Sequence, residues 1–158
     1  MKLAVMMFVA ALTLAQEFGS LDPAPARTHQ FVAYQSEQLV VPAGKRGVLE
    51  LRFHVEDGYH VNSHLPKSEL QIATKVELAG ENGVKVATAT YPVGKLYVPG
   101  FDPGEKLDVY SGQFVVSVPV VASAGSHELK GSLKYQACDR AACYPPKTLP
   151  LVVIFTAK

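Results

Sequence analysis

The strongest constraint on this chain is a two-residue alternation of apolar and polar side chains that recurs in short runs and never lengthens into a helical period. "VLELRFHV" (48–55) places Leu49, Leu51, Phe53 and Val55 on one face. "ELKGSLKYQA" (128–137) sets Leu129, Leu133 and Tyr135 against Lys130, Ser132 and Lys134. Strand signals also lie in "FVAYQSEQLVV" (31–41), "QIATKVELAG" (71–80), "VKVATATYP" (84–92), "QFVVSVPVV" (113–121) and "LPLVVIF" (149–155). A period of two belongs to strands, whose successive side chains point to opposite faces. The runs are separated by turn-forming "PAGKRG", "EDG", "ENG" and "SAGS". "ENG", between two strand runs, is an Asn-Gly hairpin signal. Only "SELQIATKVEL" (68–78) leaves room for a helical turn. About seven short strands with no long helix predict an all-β, immunoglobulin-like antiparallel β-sandwich.

The N-terminus reads differently. "MKLAVMMFVAALTLAQ" opens with one Lys and an apolar run to about Leu14, with Thr13 and Ala15 as small residues before a cut after Ala15. This predicts a secretory signal peptide over residues 1–15, too short for a membrane span. No cysteine follows it, so a lipid anchor is not expected, and no later run reaches 18 apolar residues. "EFGSLDPAPARTHQ" has no periodicity, and residues 16–29 are expected to form a flexible lead. Residues 30–158 are expected to form the sandwich, exported and soluble. Loss of Lys2 with the signal leaves 14 basic against 14 acidic residues. Without a basic stripe, nucleic-acid binding and membrane-surface attraction are not expected. No internal repeat is visible.

Sandwiches carry function on their end loops. Two segments are long or irregular: "DGYHVNSHLPKSE" (57–69) and the Pro-, Gly- and aromatic-rich "YPVGKLYVPGFDPGEKLDVY" (91–110). A third, "YQACDRAACYPP" (135–146), holds both cysteines, Cys138 and Cys143, four residues apart. A structural staple is the default for an exported protein, but so short a loop gains only roughly 2 kcal/mol from closure. A metal clip would need further ligands, and His60 and His64, or His54, are the candidates. Cys-x4-Cys is wider than a zinc knuckle, the mature chain has no Met, and His54 and His60 have the outward parity of solvent-facing side chains. A redox-active pair should be short-range, so that the fold survives reduction, and should sit at a strand end within reach of a partner thiolate. The cysteine segment meets both conditions, and Lys134, Arg140 and Lys147 outnumber Asp139 around it, which favours a thiolate. A Cys-His hydrolase is not expected, since two close cysteines in an oxidising compartment pair with each other. The residues alone leave staple, metal clip and redox pair open.

"YQACDRAACYPPKTLPL" closely resembles the active-site cysteine segment of the N-terminal periplasmic domain of the thiol:disulfide interchange protein DsbD family, with its Tyr-Gln-x-Cys start and Cys-Tyr-Pro-Pro finish. "DGYHVNSHLP" is similar to the family's Gly-aromatic-His segment, and "DVYSGQFVVSVPV" to the strand after its lid loop. The resemblance spans roughly residues 28 to 156, with one residue fewer between the cysteines than in the best-known member. It implies an immunoglobulin-like thiol:disulfide oxidoreductase that relays electrons in the periplasm without a diffusible cofactor or metal. The implied donor is a thioredoxin-like domain served by a membrane thiol relay. The implied acceptors are oxidised periplasmic proteins such as disulfide isomerases or cytochrome c maturation factors. Cys138 and Cys143 become the redox pair, with Cys143 as the partner-facing sulfur and Tyr135, Arg140 and Tyr144 as neighbours. The family's aromatic-capped lid maps to "YVPGFDPGEKLDVY", with Phe101 as the expected cap and Tyr97 as the alternative. A stand-alone relay meeting its donor in trans, or a different thiol task on the same scaffold, is expected; an exported binding module with a structural disulfide, or a metal-binding domain, is the alternative.

Overall fold

A computed structural model describes residues 29–158 except Glu69, Asn82 and Phe101. The expected signal peptide, nearly all of the expected lead, and the expected cap Phe101 therefore lie outside the described residues. Among the described residues there are twelve strands: β1 (Val32–Gln35), β2 (Leu39–Val41), β3 (Arg46–Val55), β4 (His60–Asn62), β5 (Lys75–Leu78), β6 (Val84–Val86), β7 (Lys95–Tyr97), β8 (Leu107–Tyr110), β9 (Gln113–Ala122), β10 (Gly125–Tyr135), β11 (Ala137–Cys138) and β12 (Lys147–Ala157). No helix long and apolar enough to cross a membrane occurs among them.

Alternation becomes burial along the long strands. Leu49, Leu51, Phe53 and Val55 of β3 are wholly buried, as are Leu129, Leu133 and Tyr135 of β10. Each fully buried side chain of this size contributes about 1.5–3 kcal/mol. Sheets in the order β1-β3-β9-β6 and β2-β12-β10-β5 form the two main layers. Their inward residues share one core, in which Phe53 stacks on Phe114 at 5.2 Å. The architecture is the expected all-β, immunoglobulin-like sandwich.

The connections differ from the sequence reading in three places. The run 31–41 is two strands: β1 pairs with β3, and β2 pairs in parallel with β12 in the other layer. The exposed polar residues Ser36, Glu37 and Gln38 carry the chain across. The "ENG" turn closes no hairpin, because β5 pairs with β10 and β6 with β9. It passes the chain from one layer to the other, with Gly83 at a φ of 82°. Among its described residues, the segment allowed a helical turn holds one i to i+3 bond, Gln71 N–H to the Ser68 carbonyl at 3.1 Å, before β5 begins.

The two segments read as irregular form a third sheet, in the order β11-β4-β8-β7. β4 lies between β11 and β8, with Cys138 opposite His60 and Val61 opposite both Ala137 and Tyr110. β7 and β8 are an antiparallel hairpin with Tyr97 opposite Leu107. Gly94 permits this approach, because a Cβ there would overlap the Asp108 carboxylate. This small sheet brings the three distinctive sequence segments together.

Candidate functional site

The site begins where β10 leaves the core. Tyr135 is wholly buried, and its hydroxyl donates to Gln30 Oε1 at 2.7 Å and accepts from Phe31 N–H at 3.2 Å. Burial raises its pKa above the ordinary tyrosine value. It thus anchors the start of the domain rather than reaching a sulfur. The next residue, Gln136, joins three segments. Its Oε1 accepts from Asn62 Nδ2 at 3.2 Å and from Ile72 N–H at 3.4 Å, while its Nε2 donates to the Tyr144 carbonyl at 3.2 Å. Asn62, 1% exposed, also donates to the Ile72 carbonyl. Sequence reasoning missed this Asn62–Gln136 pair; two amides in the irregular segments were its only signal.

Cys138 and Cys143 form a disulfide across a four-residue turn, with Cα atoms 3.9 Å apart. The turn is held without the bridge. Asp139 N–H donates to the Ala142 carbonyl at 2.9 Å, and Tyr144 N–H to the Ala137 carbonyl at 2.8 Å. Asp139 Oδ1 accepts from Ala141 N–H at 2.7 Å and Ala142 N–H at 2.9 Å, the turn-starting role for which Asp is suited. Its Oδ2 accepts from the Tyr144 hydroxyl at 2.7 Å. The Tyr144 bond, then the two backbone bonds, hold the Asp139 carboxyl below the ordinary Asp value. The same bond pushes the Tyr144 hydroxyl up to about 12. Tyr144 packs on Phe31 at 4.8 Å and Tyr59 at 5.9 Å, which fixes the chain just after Cys143.

The two sulfurs have unequal environments. Cys138 is wholly buried as the last residue of β11, whereas Cys143 is exposed on the returning chain, followed by exposed Pro145 and Pro146. Arg140 is exposed at the turn tip. The expected basic surroundings are thinner than the sequence suggested. Lys134 is paired with Glu77 at 2.9 Å, and Lys147 lies 5.5 Å over the Phe31 ring.

A cover is built from the β7–β8 hairpin. The tilted Tyr97 ring lies 4.1 Å from the His60 ring, and His60 is the cross-strand neighbour of Cys138. A Cβ at Gly100 would lie 3.3 Å from the Arg140 carbonyl oxygen, so this turn rests against the cysteine hairpin. Glu105 Oε1 accepts from Gln71 Nε2 at 3.0 Å and ties the cover to the preceding loop.

The three histidines are not brought together. Among the described residues, no group of three His, Cys, Asp or Glu side chains is placed to hold a metal ion. His60 is 4% exposed, which corrects the solvent-facing expectation: β4 is an inner strand of the third sheet, and the Tyr97 ring lies against the His60 ring. Burial lowers its pKa, with the Asp139 charge opposing. His64 stacks flat on Tyr91 at 3.7 Å, and its Nδ1 lies 3.0 Å from the Thr74 carbonyl oxygen. It borders adjoining clefts of about 340 and 350 Å³ that neither cysteine lines.

The N-terminal periplasmic domain of ScsB from Proteus mirabilis superposes with a TM-score of 0.53 at 14% identity, over 77% of this chain and 44% of that one. The chain thus spans less than half of that relative. The reduced N-terminal domain of DsbD from Neisseria meningitidis gives a TM-score of 0.45 at 18% identity, over 69% of this chain and 81% of that one. A complex of the DsbD and PilB N-terminal domains from the same organism gives 0.48 at 18% identity, over 85% and 88%. No curated protein sequence matches. The family model for the N-terminal part of the thiol:disulfide interchange protein DsbD matches residues 28–152. With that match over most of the chain, the chain belongs to the DsbD N-terminal domain family, and its disulfide-bonded cysteine pair supports a thiol:disulfide exchange domain.

Proposed function

We propose that this domain is an electron relay of the bacterial periplasm, taking reducing equivalents from a thioredoxin-like donor and passing them to oxidised periplasmic thiol proteins. The observation that carries the reading is the inequality of the two sulfurs: Cys143 is exposed, and Cys138 is wholly buried behind it. In-line attack on a disulfide needs access to one sulfur, with the other leaving. An exposed Cys143 meets the first need, and a sheet-held Cys138 stays poised to re-form the bridge. Family membership supports thiol partners, and the signal-like N-terminus supports export.

Two exchanges make up the relay. The Cys143 thiolate of the reduced domain attacks a partner disulfide, forming a mixed disulfide and releasing one partner thiolate. Cys138 then attacks Cys143 Sγ, re-forms the internal bridge and releases the second partner thiolate. The donor runs the same steps in reverse. Tyr97, and Phe101 four residues further along the chain, shield the resting disulfide from small thiols. Arg140, at the exposed tip, and Tyr144, bonded to Asp139, form the partner-facing rim. Cys138→Ser removes the resolving thiol and should trap a mixed disulfide with a thioredoxin-like partner on a non-reducing gel, whereas Cys143→Ser should trap little. Equal or stronger trapping by Cys143→Ser reverses the roles, and no trapping by either variant refutes the relay.

A further inference from the structure

Beside the buried sulfur stands a histidine with an unused ring nitrogen. His60 is 4% exposed, and its Nε2 has no hydrogen-bond partner among the described residues. His64 meets the Thr74 carbonyl and His127 the Ser123 carbonyl, whereas His54 Nδ1 shares with His60 Nε2 the lack of a partner but lies on β3, away from the cysteines. A purely structural ring at position 60 gains nothing from an unpaired buried nitrogen.

Its location points to a task. His60 is directly opposite Cys138 in the β4–β11 register. Opposed residues of an antiparallel pair share one face, with Cβ atoms roughly 4.5–5.5 Å apart. The titratable groups around the ring are Cys138 and Asp139 from the cysteine hairpin and Tyr97 from β7. β8, the other neighbour of β4, sets Tyr110 against Val61 and Val109 against Asn62, and so places no charge opposite His60. Arg140 points to solvent at the turn tip.

The exchange chemistry has a matching need. Cys138 is wholly buried, and burial disfavours its thiolate. Resolving a mixed disulfide on Cys143 requires that thiolate, so the Cys138 proton must go to a group inside the protein.

We propose that His60 Nε2 accepts the Cys138 thiol proton in the resolving step, an inference that rests on the relay reading above. The S–H bond of Cys138 breaks and its proton passes to the imidazole. The thiolate attacks Cys143 Sγ and forms the internal S–S bond. The bond from Cys143 to the partner breaks, and its electron pair leaves on the partner sulfur, which then takes up a proton. The partner disulfide is reduced by two electrons, the Cys138–Cys143 pair is oxidised by two, and no other reductant is needed. In the charging direction the imidazolium returns the proton to Cys138. The Asp139 carboxylate, held anionic by Tyr144, Ala141 and Ala142, stabilises the transient imidazolium. Burial favours the neutral form of the resting ring.

The test separates the two exchange steps in the reduced protein, with glutathione disulfide as probe. Rapid mixing gives the rate at which Cys143 takes up glutathione and the rate at which Cys138 expels it, from about pH 5.5 to 8.5. His60→Gln and His60→Phe are compared, the latter keeping a ring against Tyr97 in case the former folds poorly. Both should take up glutathione at the wild-type rate and expel it on the order of 100-fold more slowly at neutral pH. Their expulsion rate should climb roughly tenfold per pH unit, where the wild-type rate is nearly flat. A folded variant that expels glutathione at the wild-type rate with the wild-type profile overturns the proposal, as does equal slowing of both steps. If the wild-type protein itself never expels glutathione, the relay reading falls first, and the His60 role falls with it.

Discussion

Reduction of the Cys138–Cys143 bridge should leave the sandwich folded. The bridge spans a sequence separation of 5 and so closes a short loop. In the chain-entropy picture, a loop this small limits the gain to roughly 2 kcal/mol. Against the 5–15 kcal/mol typical of a domain, a cooperative fold survives that loss. The structure explains where the remaining order comes from. Asp139 accepts from Ala141 and Ala142 N–H, the Asp139 N–H donates to the Ala142 carbonyl, and Tyr144 N–H reaches the Ala137 carbonyl. Gln136 and Asn62 fasten the same hairpin to β4 and the loop near Ile72. None of these bonds needs the S–S bond. Thermal unfolding with and without dithiothreitol, followed by circular dichroism, should show a single transition in both states, lowered by about 5–10 °C on reduction. Loss of the cooperative transition at room temperature would refute the reasoning and make the bridge a staple.

Further outcomes follow from single contacts. Tyr97→Ala and Phe101→Ala should each speed reduction of the bridge by dithiothreitol, Tyr97 because its ring covers His60 beside Cys138; an unchanged rate for both removes the cover from the mechanism. Tyr135→Phe should cost about 1–3 kcal/mol in urea unfolding, because Phe31 N–H and Gln30 Oε1 lose their partner; a loss near zero would mean that water replaces the hydroxyl. Because the folded pKa of His60 is depressed, the unfolded chain binds its proton more readily, so stability should fall as pH drops below about 6.5 and towards the folded pKa. His60→Phe should flatten that part of the stability–pH curve, and an unaltered slope would assign it to other groups.

The sequence by itself determined which strand faces are buried and that the two cysteines lie within reach of each other. Strict alternation at Leu49, Leu51, Phe53 and Val55, and at Leu129, Leu133 and Tyr135, is a local property that survives as burial, because period-two patterning leaves one stable way to hide an apolar face. The pairing of Cys138 with Cys143 was equally local, being a consequence of short separation. Partner choice between strands was not local. The "ENG" turn looked like a hairpin but joined different layers, because a turn motif specifies the reversal and not which edge lies free to receive the next strand. The segments 57–69 and 91–110 were irregular in sequence because their strands are only three or four residues long, and because β4 and most of β8 are covered on both sides, which erases the alternation that marks a half-exposed strand. Only their meeting in the third sheet buried His60, set it opposite Cys138 and laid Tyr97 over it. These are relations among residues from separate segments, and no spacing along one chain encodes them; long-range hydrogen bonding and exclusion of water decided them.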